Sequence, residues 1–377
     1  MNSLRPFSLS LAAIAFAIGI RAATPTPAPG ADPAALHLAF PDARIVVSGL
    51  PWFGEEQPVL RRLPSSLKST FPPKVWALAQ NPSGGRLRFT TDSLHVTLVA
   101  ESSGAAAPAH MTAIANAGVD LYVDGVYFGS AAPDTRGQLR KEWVTGREGK
   151  PRELTFYLPY GRPLTVKQVV LDAGAAVRPP RSFARNQPVV YYGSSITQGI
   201  AAANPGGTYQ ALLSRWLNVD FVNLGFSGNG FGEPVLAEAV ASLEAACFVV
   251  DYWANPTTAV YRETLPRFVA ILRAKHPRTP IIVTGPYYNP SEEIPGEAGQ
   301  RQLEKRVVAR EFVAAQRAAG DTRLIHVDGL EMLSKAESDG LVDGRHANSM
   351  GFYFCARGLE PYLRAALDLP PPAAPRR

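Results

Sequence analysis

After about residue 183 the chain changes rhythm. Short apolar runs at Val189–Tyr192, Asp220–Asn223, Phe248–Tyr252, Pro280–Thr284 and Arg323–Val327 alternate with helical periodicity near 208–217, 233–245, 260–275, 298–319 and 349–366. No other feature constrains the fold as much. Runs this short and apolar read as strands buried on both faces, and the helices between them supply the long connections that parallel strands need. The expected result is an α/β domain over 183–370, a parallel sheet in a three-layer α/β/α arrangement.

The stretch 35–182 has a different pattern. Alternating or β-branched runs recur at Arg44–Ser48, Arg86–Thr90, Leu94–Val99, Val119–Val123, Glu153–Leu158 and Leu164–Leu171, separated by turn signals such as Pro82-Ser-Gly-Gly85. Asp124-Gly125 between two such runs predicts a tight hairpin. An all-β sandwich or jelly-roll follows. Trp52, Trp76 and Trp143 read as packing residues, with a sugar platform or cleft wall as the competing role. Val177–Phe183, with its paired prolines, reads as the linker.

Residues 1–22 read as a signal peptide, because Arg5 precedes an apolar core from Leu9 to Ile20 that is too short to span a bilayer and is followed by Ala22 and Ala23. The expected location is therefore secreted or periplasmic, with an uncleaved anchor as the competing reading. Residues 23–34 form a Pro/Ala-rich lead-in, and no later stretch predicts a membrane span. The formal charge of +6 becomes 6 − 2 = +4 once Arg5 and Arg21 leave with the signal. With no basic run interleaved with aromatics, nucleic acid is not an expected partner. Cys247 and Cys355 fall in a strand and a helix pattern and read as buried free thiols, although export would permit a disulfide.

The chemistry concentrates at strand ends. Val189–Tyr192 runs into Gly193-Ser-Ser-Ile-Thr-Gln-Gly199, and Ser195 is the candidate nucleophile at the carboxyl end of the first strand, beside a helix start. The competing reading is an ordinary turn. The spacing is not that of the Gly-x-Ser-x-Gly elbow, because Thr197 occupies the second Gly position. After the second strand comes Asn223-Leu-Gly-Phe-Ser-Gly-Asn-Gly230, whose glycines let backbone N–H groups face a ligand or simply form a turn. After the third strand, Asn255 in Asp251-Tyr-Trp-Ala-Asn-Pro256 offers two side-chain hydrogens, and Asn-Pro is also a turn starter. After the fifth, Asp343 and His346 stand as Asp-x-x-His. Among six histidines, only His346 has a carboxylate at that spacing. His276 reads as solvated, His326 as a satisfied core residue, and His37, His95 and His110 lie in the β half.

The block Gly193-Ser-Ser-Ile-Thr-Gln-Gly199, taken with these later blocks, resembles the GDSL or SGNH hydrolases, with Ser194 where that family usually has Asp and with the third block lacking its usual Gly and Asp. The resemblance covers about residues 186–368, and it extends to a subgroup with an N-terminal β domain. It implies a serine esterase with a Ser195–His346–Asp343 triad and an oxyanion hole from the Ser195 and Gly228 N–H groups and Asn255. A hydrolase of this type needs no cofactor, and with no Cys pair, His-Glu-x-x-His or Asp-rich calcium loop in the sequence no metal site is expected. Tyr252, Trp253 and Tyr287, with Tyr288, are candidate substrate contacts. A small-molecule or carbohydrate ester, in particular an acetylated sugar, is the expected substrate. The competing functions are a non-catalytic carbohydrate-binding protein on the same scaffold, and a lipase, thioesterase or peptidase. The oligomeric state is left open.

Overall fold

A computed structural model describes residues 34–103 and 107–371; the leader and most of the lead-in lie outside the described residues. The N-terminal half carries strands β1 (Leu36–Ala39), β2 (Val46–Ser48), β3 (Arg86–Thr91), β4 (His95–Ser102), β5 (Val119–Val123), β6 (Val126–Ala131), β7 (Gln138–Val144), β8 (Arg152–Tyr157), β9 (Leu164–Leu171) and β10 (Val177–Arg178). They form two antiparallel sheets, ordered β1-β9-β4-β7 and β10-β3-β8-β5-β6, with β2 on β3. The inward residues of both sheets, among them Leu38, Leu87, Phe89, Leu98, Leu121, Trp143 and Val169, make one core, as in a sandwich. Asp124-Gly125 turns the β5–β6 hairpin with both residues at positive φ. The expected linker does not hang free. It pairs with β3 through β10, and the Arg181 N–H then donates to Glu153.

The second half carries β11 (Val189–Gly193), β12 (Phe221–Gly225), β13 (Cys247–Asp251), β14 (Ile281–Thr284) and β15 (Leu324–Val327), all parallel and ordered β12-β11-β13-β14-β15. Helices Tyr209–Leu217 and Ser349–Ala366 pack together on one face, where Tyr209 stacks on Phe352. Helices Pro234–Ala241, Thr258–Lys275 and Glu297–Ala318 pack on the other. This is the three-layer α/β/α arrangement. β11 to β13 are buried at every position, as their mostly apolar sequences predict, with Asn223 and Asp251 the polar exceptions. The chain leaves β11 toward β12 and then crosses back to β13, so the carboxyl ends of these three strands bound the crevice where ligands bind in open sheets of this kind. Cys247 and Cys355 are buried and free.

The first half is not purely β. Short helices occupy Pro73–Ala79 and Ala113–Ala117, and Leu63, Phe71, Val75 and Ala79 join the core of the second half. Two buried arginines, Arg62 just ahead of this segment and Arg86 at the start of β3, reach the outer edge of β12. The Arg86 guanidinium donates to Phe221 O (3.1 Å), and Arg62 donates to Asn223 O (3.2 Å) and Gly225 O (2.5 Å). A free edge strand would leave those alternate carbonyls unpaired; here side chains take the place of a neighbouring strand. All of the Arg62 hydrogen bonds go to carbonyls, adding Asn81 O and Leu78 O, its guanidinium lies 4.8 Å from the Phe226 ring centroid, and burial lowers its pKa to about 9.

Candidate active site

Gly193 ends β11, and Ser195 opens a one-turn helix, Ser195–Gln198. The Ser194 side chain caps it, accepting from the Ile196 N–H. Only glycine fits at 193: a Cβ there would strike Thr197 Oγ1 and the Asp251 carbonyl. The short helix is held from below. Thr197 donates to Asp251 Oδ2 at 3.0 Å, the Gln210 and Asn223 amides both donate to Thr197 O at 2.6 Å, and Gln198 donates to Tyr160 O at 2.7 Å. Asp251 also accepts from Tyr209 OH, Trp253 Nε1 and Thr284 Oγ1. Burial pushes its pKa up, and the four donors oppose that.

Ser195 Oγ lies 3.0 Å from His346 Nε2, and His346 Nδ1 lies 2.8 Å from Asp343 Oδ2. The other Asp343 oxygen accepts the N–H groups of His346 (2.7 Å) and Arg345 (3.0 Å). Partial burial raises the Asp343 pKa, but the hydrogen bonds from the His346 ring and backbone outweigh it, and the pKa falls to about 2. Asp343 is thus ionised at any working pH and favours the His346 tautomer that carries its proton on Nδ1. The loop returns to the helix Ser349–Ala366 through the Leu341–Ala347 bridge and the Asn348 cap.

The donors expected for an oxyanion can be found by accounting for the N–H groups. In the turn after β12, the N–H groups of Phe226, Ser227, Asn229 and Gly230 donate to Gly193 O, Gln198 Oε1, Phe226 O and Asn255 Oδ1. The Gly228 N–H is left without an acceptor among the described residues; the residue sits at φ +66° with open space around it. Because Asn255 Oδ1 accepts from Gly230 at 3.0 Å, the Asn255 NH2 group is fixed and free to donate elsewhere. The bonds to Gly193 and Asn255 join the Gly228 turn to the nucleophile strand and to the Asn255 loop.

Other expectations fail. Tyr252, Trp253 and Tyr287 do not face a cleft: they are 0%, 4% and 2% exposed. Tyr252 bonds Thr264 and packs on Phe268, Trp253 donates to Asp251, and Tyr287 OH donates to Arg345 O, which supports the His346 loop from behind. Tyr288 is buried as well. His276 is buried against Phe248 and bonds Ala241 O rather than being solvated. His326 is half-buried with Nε2 unpartnered, so it is not a satisfied core residue.

Two features of the β half were missed. His110 stacks on His346, with ring centroids 5.4 Å apart and planes 10° apart. Nothing in the local sequence of His110 announces a contact across that separation. The run Val119–Val123 forms the strand its sequence predicts, β5, and does more than pair. Its Asp120, fully buried, accepts from Asn204 Nδ2 (2.6 Å) and the Gly206 N–H (2.7 Å), and Tyr122 OH donates to Gly206 O. That strand therefore holds the turn that follows the nucleophile helix.

Comparison with known proteins agrees with this architecture. Residues 186–364 match the GDSL-like lipase/acylhydrolase family model, and residues 38–177 match GxDLY, described as the N-terminus of SGNH-hydrolase-type esterases. No curated protein matches the chain. Among solved structures, a putative GDSL-like lipase from Bacteroides ovatus is 28% identical, with 90% of this chain and 100% of that one covered at a TM-score of 0.81. The salicylyl-acyltransferase SsfX3 from a tetracycline biosynthetic pathway is 22% identical over 91% and 100%, at 0.76. A family two carbohydrate esterase from Cellvibrio japonicus is 16% identical over 89% and 98%, at 0.59, and shows the same fold. With both halves matched in order, the chain belongs to the GDSL-like lipase/acylhydrolase family of ester-hydrolysing enzymes, in the form that carries an SGNH-esterase N-terminal domain.

Proposed function

We propose that this protein is an exported serine esterase that removes short acyl groups, acetyl foremost, from a carbohydrate. The observation that carries the reading is the continuous hydrogen-bonded line from Ser195 Oγ through His346 to Asp343, set beside a Gly228 N–H and an Asn255 amide that have no acceptor among the described residues. Ser195 Oγ attacks the ester carbonyl while His346 Nε2 takes its proton. The resulting oxyanion accepts hydrogen bonds from the Ser195 and Gly228 N–H groups and the Asn255 amide. As the intermediate collapses, the carbonyl-to-alkoxy bond breaks and the leaving alcohol takes the proton from His346. Water, deprotonated by the same imidazole, then attacks the acyl-enzyme and releases the acid and free Ser195. Ionised Asp343 holds the imidazole and stabilises its charged form.

Export rests on the leader pattern in residues 1–22. Among the described residues no helix is long and apolar enough to cross a membrane. The carbohydrate substrate is supported by the family two carbohydrate esterases among the structures of this fold, one of them in complex with cellohexaose. The test is hydrolysis of p-nitrophenyl acetate and of longer acyl esters by wild type and by Ser195→Ala. Acetate turnover that disappears in the variant, with long chains disfavoured, is expected. A folded wild type that turns over none of them overturns the reading in favour of a binding protein.

A further inference from the structure

A second depression opens beside the candidate active site and has a charge that the esterase chemistry does not require. It encloses about 490 Å³, and its lining includes both Asn255 and Asp343, so it adjoins the reacting groups. Three cations also line it: Arg301 and Lys305 from the helix Glu297–Ala318, and Arg345 from the His346 loop. Asp343 is the one carboxylate in that lining, and it is already engaged by His346.

Lys305 is the telling residue. It is 4% exposed, and its ammonium meets one protein acceptor, Trp253 O at 3.0 Å. The adjacent Arg306, similarly buried, shows the usual arrangement, with Glu292 accepting from two guanidinium nitrogens at 2.7 and 2.6 Å. Lys305 has no ion-pair partner among the described residues, whereas Arg86, Arg88, Arg273 and Arg306, also buried or half-buried, each have one; the exposed Arg301 and Arg345 beside Lys305 have none either. A buried charge without a counter-charge is costly, and a ligand that supplies the counter-charge recovers that energy. Burial first, and repulsion from Arg301 and Arg345 second, lowers the Lys305 pKa to about 8, in keeping with three cations crowded together and no carboxylate paired with them. Beside them Gln302 Oε1 is buried without a donor, a place for a hydroxyl.

We propose that this pocket receives a carboxylate carried by the ester substrate, on either its acyl or its alcohol part. The proposal rests on the esterase reading and deepens it: the substrate is an anionic ester, of which an acetylated sugar acid and a dicarboxylic half-ester are the two forms. The deciding experiment compares kcat/KM in two matched pairs. The acyl pair is p-nitrophenyl hemisuccinate against its methyl ester; the alcohol pair is mono-O-acetyl glucuronic acid against mono-O-acetyl glucose. A preference of about tenfold or more for the charged member of either pair is expected, and the pair that shows it identifies the part that carries the charge. In Arg301→Glu/Arg345→Glu, whose changes are confined to exposed side chains, that ratio should fall to one or below. Lys305→Met should also lower it if the variant folds. A wild type that hydrolyses p-nitrophenyl acetate but shows no preference in either pair overturns the proposal and leaves the esterase reading standing.

Thermal unfolding separates the two claims where catalysis cannot. Succinate should raise the Tm of wild type and of Ser195→Ala, and not that of the double glutamate variant. An equal rise in all three proteins, or no rise in any, counts against the pocket whatever the esterase assays show.

Discussion

The two sides of the candidate active site are built by different means. On the nucleophile side, Ser195 is 5% exposed and rests on Thr197, Gln198, Asn223 and Asp251, each of them buried and hydrogen-bonded. On the base side, the Asp343 side chain is 36% exposed and the His346 side chain 16%. The loop that carries them is fixed at a few points: the Leu341–Ala347 bridge, Tyr287 on Arg345 O, and the His110 ring. The residues that support the nucleophile are thus part of the folding core, so disturbing them disturbs stability too. The base is added from a surface loop, where activity and stability separate. Geometry that must be accurate in every turnover is placed where packing already enforces it.

The largest expected effect tests the chemistry before the comparison. Ser195→Ala should lower kcat/KM on p-nitrophenyl acetate by about 10⁴-fold or more, with the urea midpoint little changed, because only a hydroxyl is lost. Next comes Asn255→Ala, with a fall of roughly 10²–10³ in kcat; a change confined to KM would remove Asn255 from the oxyanion site. Asp343→Asn should lower kcat by less than Ser195→Ala does, since attack on the ester survives with a poorly oriented base. A larger loss there would overturn the role given to Asp343.

Stability measurements sharpen the contrast itself. Asp251→Asn puts an NH2 group in place of an oxygen that accepts from two of the four donors and should reduce unfolding free energy by at least about 2 kcal/mol, whereas Asp343→Asn, at a more exposed carboxylate, should cost less. Equal losses in urea titrations would erase the distinction between the two sides. The smallest expected effect is that of His110→Ala, a fall of about two- to tenfold in kcat/KM, the range of one aromatic pair. The preference for charged esters should weaken as pH rises from 7 to 9, because Lys305 loses its proton near 8.

What the sequence disclosed follows the range of the interactions. The five parallel strands were legible because each is a short apolar run between helical stretches, and Ser195, Asn255, Asp343 and His346 were legible because each follows such a run. Tyr252 and Trp253 misled for the same reason: they follow β13 directly, yet the bond each makes, to Thr264 and to Asp251, turns it into the core. β7 was missed because only Leu139 and Trp143 of its seven residues are buried, and charged side chains at Arg140, Lys141 and Glu142 hide the alternation, as suits an edge strand. His110, Arg62 and Tyr160 act on partners far along the chain, and no local pattern encodes such a contact.

The two arginines on the edge of β12 bear on how this architecture holds together. They make the junction between the halves resemble a subunit interface enclosed within one polypeptide, and an unforgiving one. Arg62 has surrendered its water for carbonyls, two of them at fixed positions along β12, so a docking shifted by a single residue would leave a buried cation short of acceptors. The junction thereby proofreads its own alignment. The catalytic half expressed alone would display an unprotected β edge, an invitation to pair with another copy of itself.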